Sequence, residues 1–221
     1  YSLFIVGLTA LVGSFDYFRK NLVNVKTAIV FGIPSIIAVF LTRAYVVPAI
    51  PHTIMTIGDF VLTKHVLLLL LFAVLMLLSS YSMIKKKKET PNDENSQQVF
   101  NYPLILVEGL LVGTVTGLVG AGGGFLIIPA LVLLSKLPMK EAVGTSLVII
   151  AAKSLIGFFG ESSETFIDWP LMLKISGFAI AGILVGSALS KKIDGAKLKP
   201  AFGYFVLLMG IYIIVKELIF K

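Results

Sequence analysis

Four glycines within five residues, Gly120, Gly122, Gly123 and Gly124, interrupt an otherwise apolar stretch. Each costs a helix about 1 kcal/mol relative to alanine, so a helix must break there. Adjacent glycines let backbone N–H groups converge on one point, a nest that suits a small anion. A second helical piece starts near Phe125, with Pro129 just inside it. Its positive dipole end points back at the same place. Together these features could hold a small oxyanion. Gly109, Gly113 and Gly117 are spaced by four and read instead as a small-residue face for close helix packing.

Downstream, Thr145 and Ser146 fall in the second turn of the next helix. Their hydroxyls either donate to the anion or bond back to their own helix. Lys153 is read as the one basic residue deep inside an apolar span. A charge at a helix centre costs about 2.5–3.5 kcal/mol on insertion scales, so such residues tend to serve a function. Lys153 is then either a counter-charge for the anion or a side chain that snorkels past Gly160, about 10 Å along the helix.

The elements that must position these residues are membrane helices. Of 221 residues, 57% are hydrophobic and 14% charged, whereas a soluble domain carries roughly 25% charged residues to wet its surface. Apolar spans are read over 2–15, 27–41, 66–83, 104–134, 142–159, 171–189 and 201–215. The fourth is too long for one ordinary crossing and holds the glycine break. The net charge of +7 is assigned to cytoplasmic loops rather than to nucleic-acid binding. With no cysteine and two histidines, thiol chemistry is excluded and no catalytic set, metal site or cofactor is expected. His52 and His65 flank a polar connection, Glu108 lies near a membrane boundary, and Trp169, Tyr81 and Tyr102 read as interfacial anchors.

The chain also resembles itself. Ser2-Leu3 followed by Gly13 aligns with Ser146-Leu147 followed by Gly157 at an offset of 144, and Asn24 falls opposite Asp168. This predicts a first repeat over 1–84, a polar linker over 85–102 that opens with four lysines, and a second repeat over 103–221. The second repeat carries about 45 residues upstream of the aligned point that the first lacks, so the expectation is a natural protein of roughly 265 residues. If the glycine segment crossed the membrane once, Lys and Arg would divide 10 to 8 between the two faces, leaving Lys153 aside. If it enters and leaves on one face, they divide 13 to 5. The positive-inside bias favours the second arrangement, which inverts the second repeat relative to the first. The predicted fold is an all-α polytopic membrane protein of two inverted repeats with a broken, re-entrant glycine-rich helix pair.

The stretch GTVTGLVGAGGGFLIIPAL over Gly113–Leu131, followed by EAVGTSL over Glu141–Leu147, resembles the TauE/SafE sulfite exporter family. The span over 177–186 and LKPAFG over Leu198–Gly203 also fit. The resemblance is sharpest over 103–216. It implies a multi-pass carrier in the bacterial inner membrane, built from two homologous halves, that exports sulfite or small organosulfonates, with protons as the expected coupling ion. The substrate-binding candidates are Gly120, Gly122, Gly123, Gly124, Pro129, Thr145, Ser146 and Lys153. Two rivals are a membrane-embedded enzyme and a non-transporting scaffold. The first lacks a motif that would activate Ser146 as a nucleophile. The second has no use for a broken helix at membrane depth.

Overall fold

A computed structural model describes residues 1–51, 53–57, 60–85, 102–119, 124–161 and 168–219. Gly120, Gly122 and Gly123, most of the expected polar linker (86–101) and most of the acidic connection after Lys153 (162–167) lie outside the described residues. The helices are α1 (Ser2–Arg19), α2 (Val25–Leu41), a π-helical turn (Thr42–Val46), a short α3 (Val47–Ala49), α4 (Lys64–Ile84), α5 (Tyr102–Val119), α6 (Gly124–Leu133), α7 (Met139–Glu161), α8 (Trp169–Lys191) and α9 (Gly195–Ile219). Among the described residues, seven stretches are long and apolar enough to cross a membrane, and α6 is a shorter apolar piece. The fold class is as expected, an α-helical polytopic membrane protein. One addition is a two-stranded antiparallel ribbon, β1 (Thr53–Ile57) with β2 (Phe60–Thr63), between α3 and α4.

Local chemistry sets the helix starts. Asn24 accepts from the backbone N–H of Thr27 at 3.0 Å, and Asp168 accepts from that of Leu171 at 3.1 Å. Asn24 and Asp168, which are 144 residues apart, therefore do the same job, each satisfying an orphan donor at a helix N-terminus.

Glycines set the helix pairings. A Cβ on Gly109 would meet the carbonyl oxygen of Phe31, and one on Gly113 would stand 2.8 Å from the Cβ of Ala38. A Cβ on Gly117 would lie 2.8 Å from that of Thr42. Numbers rise together along both helices, so α5 runs parallel to α2 with their backbones in close contact, as the spacing of four predicts. Gly7 packs against Leu155, and Gly157 faces Leu3, so α1 and α7 run antiparallel. Gly203 meets Met83 and Ile84, and Gly210 meets Met76 and Leu77, so α4 and α9 are antiparallel too. On α8, by contrast, a Cβ at Gly177, Gly182 or Gly186 would meet nothing within 4 Å.

The glycine-flanked segment is a hairpin. The turn after α6 returns to α5, where Ser135 Oγ donates to Glu108 Oε2 at 2.7 Å. The turn is closed by Ser135 N–H to Ala130 O at 3.3 Å and Leu137 N–H to Leu131 O at 3.0 Å. Gly124 at the start of α6 stands against Ile150, which is about 17 Å along α7 from its first residue. Gly124 is thus level with the middle of α7, while the first turn of α5 and the last turn of α6 lie at one end of the bundle. Arg19, Lys26, Lys85, Lys136, Lys140 and Lys197 gather at that same end, where α1 and α4 finish and α2, α5, α7 and α9 begin. Ile105, Ile127, Leu131, Leu137 and Ala142 pack there into the main apolar core.

Candidate functional site

Gly117 near the end of α5 and Gly124 at the start of α6 both line a cavity of about 760 Å³. Its other walls are Ser2 and Val6 of α1, Arg43 and Val47 beyond α2, Ile150 and Ser154 of α7, and Phe202 of α9. The wall is mostly apolar, with a few convergent polar groups, the usual make-up of a small-molecule site.

Arg43 owes its place to an irregular turn. The N–H of Val47 donates to the carbonyl of Thr42, five residues back, which marks a π-helical turn. Such turns widen the helix locally and re-aim its side chains. The span starting at Val25 also continues to Ala49 instead of stopping near Leu41. Arg43 therefore falls within the apolar stretch Val25–Ala49 and not in a loop beyond it.

Lys153 follows Ile149 by one helical turn on α7, and Ile149 packs on Gly32 of α2. The lysine is 8% exposed, and its Nζ has no hydrogen-bond partner among the described residues. It lies within electrostatic reach of Arg43. A buried ammonium without a partner is costly, and a bound anion would offset that cost. Ser154, the next residue, is buried and lines the cavity, so a hydroxyl is available beside the two charges.

The other sequence candidates are distributed differently. Gly124 is at the cavity; Gly120, Gly122 and Gly123 belong to the undescribed stretch between Val119 and Gly124. Thr145 Oγ1 accepts from the backbone N–H of Asn24 at 3.0 Å, and Ser146 Oγ donates to Val143 O at 2.8 Å. Both are fully buried and neither lines the cavity. Thr145 ties α7 to the α1–α2 turn, and Ser146 bonds back to its own helix. Pro129 lines a separate apolar cleft of about 240 Å³ with Leu75, Leu111 and Leu126. Its missing N–H leaves the Phe125 carbonyl without its helical donor, and Phe125 is a cavity residue. Arg43 and Ser154 are the two residues that sequence reading missed. The signal for Arg43 was the apolar run Ala44-Tyr45-Val46-Val47 after it, which extends the span past the arginine.

A family model described as sulfite exporter TauE/SafE matches residues 1–213. The chain belongs to the TauE/SafE family. Curated relatives that match the chain carry the description "probable membrane transporter protein". The one from Xylella fastidiosa (strain 9a5c) is 32% identical over 107 residues, 48% of this chain and 41% of the relative. The one from Methanocaldococcus jannaschii is 34% identical over 116 residues, 50% and 43% of the two chains. The Bacillus subtilis relative YdhB is 33% identical over 118 residues, 53% and 48%. Each alignment spans less than half the length of the curated relative it matches. No solved structure matches the chain. As a TauE/SafE member with seven spanning stretches, it is a multi-pass membrane protein.

Proposed function

We propose that this TauE/SafE chain is a secondary transporter, not an enzyme, that carries small sulfur oxyanions such as sulfite or organosulfonates across the bacterial inner membrane. The observation that carries this reading is a cavity lined by Arg43, Ser154, Gly117 and Gly124, with the buried, unpartnered Lys153 adjacent in sequence to Ser154. Arg43 supplies a planar fork that suits two oxygens of one anion, and Lys153 adds a point charge. The N-terminus of α6 adds backbone donors to the same place. The apolar remainder of the wall excludes water and strengthens each of these contacts.

The inverted-repeat plan is part of the same proposal. The antiparallel pairs α1 with α7 and α4 with α9 join elements that align between the halves, and the common capping role of Asn24 and Asp168 supports the register. In such carriers one repeat rocks against the other around a central site. The test is anion-dependent stabilisation of purified protein. Sulfite or methanesulfonate should raise the melting midpoint of the wild type and not that of Arg43→Gln, whereas chloride at equal ionic strength should raise neither. Equal stabilisation of both proteins by sulfite would sink the site.

A further inference from the structure

Glu108 is the one buried carboxylate among the described residues, at 4% exposure. It lies on α5 at the base of the hairpin, where Ser135 Oγ donates to its Oε2 at 2.7 Å. Its Oε1 is also buried and has no hydrogen-bond partner among the described residues. No cation among the described residues pairs with it; the ion pair seen there joins Lys20 and Asp16. The elements packed on α5 are α2 with its π turn, α4 and α6. Their ionisable groups are Lys26, Arg43 and the exposed Tyr45 on the first, Lys64 and His65 at the far end of α4 with the exposed Tyr81 near its other end, and none on α6. Lys85 after α4 and Lys136 in the turn are exposed at the surface. Gly117, which is beside Thr42, is about 13 Å further along α5, so Arg43 is near the opposite end of that helix.

A buried carboxylate with one oxygen undonated and no counter-cation among the described residues costs several kcal/mol to keep ionised. A proton removes that cost with no further ligand. A sodium ion needs several oxygen ligands, and the side-chain partner of Glu108 among the described residues is the single Ser135 hydroxyl. We infer that Glu108 is the site where the coupling proton binds and leaves during the transport cycle, an inference that rests on the transport reading above. A proton from the aqueous phase adds to Oε1 and gives the neutral acid, while Oε2 keeps the Ser135 hydroxyl. The packed arrangement seen here is the protonated one. When the hairpin base parts and water reaches Oε1, the proton returns to the aqueous phase and the carboxylate is hydrated. Because α5 and α6 both join the base of the hairpin to its tip, a shift at Glu108 moves Gly117 and Gly124 at the cavity. One acid at the base thereby links proton occupancy to anion access at the tip.

The experiment separates proton coupling from transport itself. Proteoliposomes are tested for radiolabelled sulfite counterflow, which needs no net proton movement, and for sulfite flux driven by an imposed pH gradient. In the wild type both should occur, and the flux should follow a pH gradient and ignore a sodium gradient. In Glu108→Gln, which mimics the neutral acid, gradient-driven flux should fall by at least about tenfold with counterflow within about twofold of wild type. Loss of both activities in this variant would overturn the inference and assign Glu108 to folding. Wild-type flux that follows sodium, or is indifferent to pH gradients, would overturn it without any variant. Absence of wild-type counterflow would instead refute the transport reading on which it rests, and the inference with it.

Discussion

Replacement of Lys153 by methionine separates a functional charge from a snorkelling one, because the two roles predict opposite pairs of changes. Methionine keeps the length and flexibility of the side chain and removes the ammonium. Lys153 is 8% exposed, and its Nζ has no hydrogen-bond partner among the described residues. It also feels the like charge of Arg43. In the empty protein this ammonium is therefore destabilising. Relief of even about 2 kcal/mol should raise the melting midpoint by about 4–8 °C for a chain of this size. With anion bound, the ammonium becomes a charge-assisted donor worth about 1.5–3 kcal/mol, so its loss should weaken anion binding about 10- to 150-fold. Thermal unfolding in detergent and equilibrium binding of labelled sulfite read the two quantities on one preparation. Lys153→Arg should keep most of the affinity, since it keeps the charge. A methionine variant with wild-type affinity, or one that melts lower, would refute the counter-charge role.

Three further outcomes follow from the geometry. Single cysteines at Asn101 and Lys136 should both react with an impermeant reagent from the cytoplasmic face; labelling from opposite faces would contradict the hairpin. Thr145→Val should lower stability by about 1–2 kcal/mol by removing the acceptor for the Asn24 N–H, yet leave sulfite affinity unchanged. A changed affinity would return that hydroxyl to the anion site. Gly123→Val should insert normally and abolish transport, because a branched side chain obstructs a backbone nest; normal flux would show that the glycine run only packs.

Span positions and the break in the fourth span were legible in the sequence because apolar run length and glycine density are local quantities. The close approach of α5 to α2 was legible too, since Gly109, Gly113 and Gly117 fall on one helix face. Arg43 was not, because Thr42-Arg43 reads as the polar end of the span until the π turn and the continuation to Ala49 are seen together. Thr145 and Ser146 have the composition of ligand hydroxyls, and only tertiary contacts reveal the Asn24 N–H and the Val143 carbonyl as their partners. Glu108 reads as a boundary residue by position along α5. Its burial comes from the turn at Ser135, which folds back over it from 27 residues downstream.

The most direct test of the central claim is counterflow of radiolabelled sulfite into proteoliposomes preloaded with unlabelled sulfite. The account predicts transient accumulation of label with the wild-type chain, none above protein-free vesicles with Arg43→Gln, and competition by methanesulfonate but not by chloride. Wild-type vesicles that accumulate no more label than protein-free ones, or an Arg43→Gln variant that accumulates as much as wild type, would contradict it.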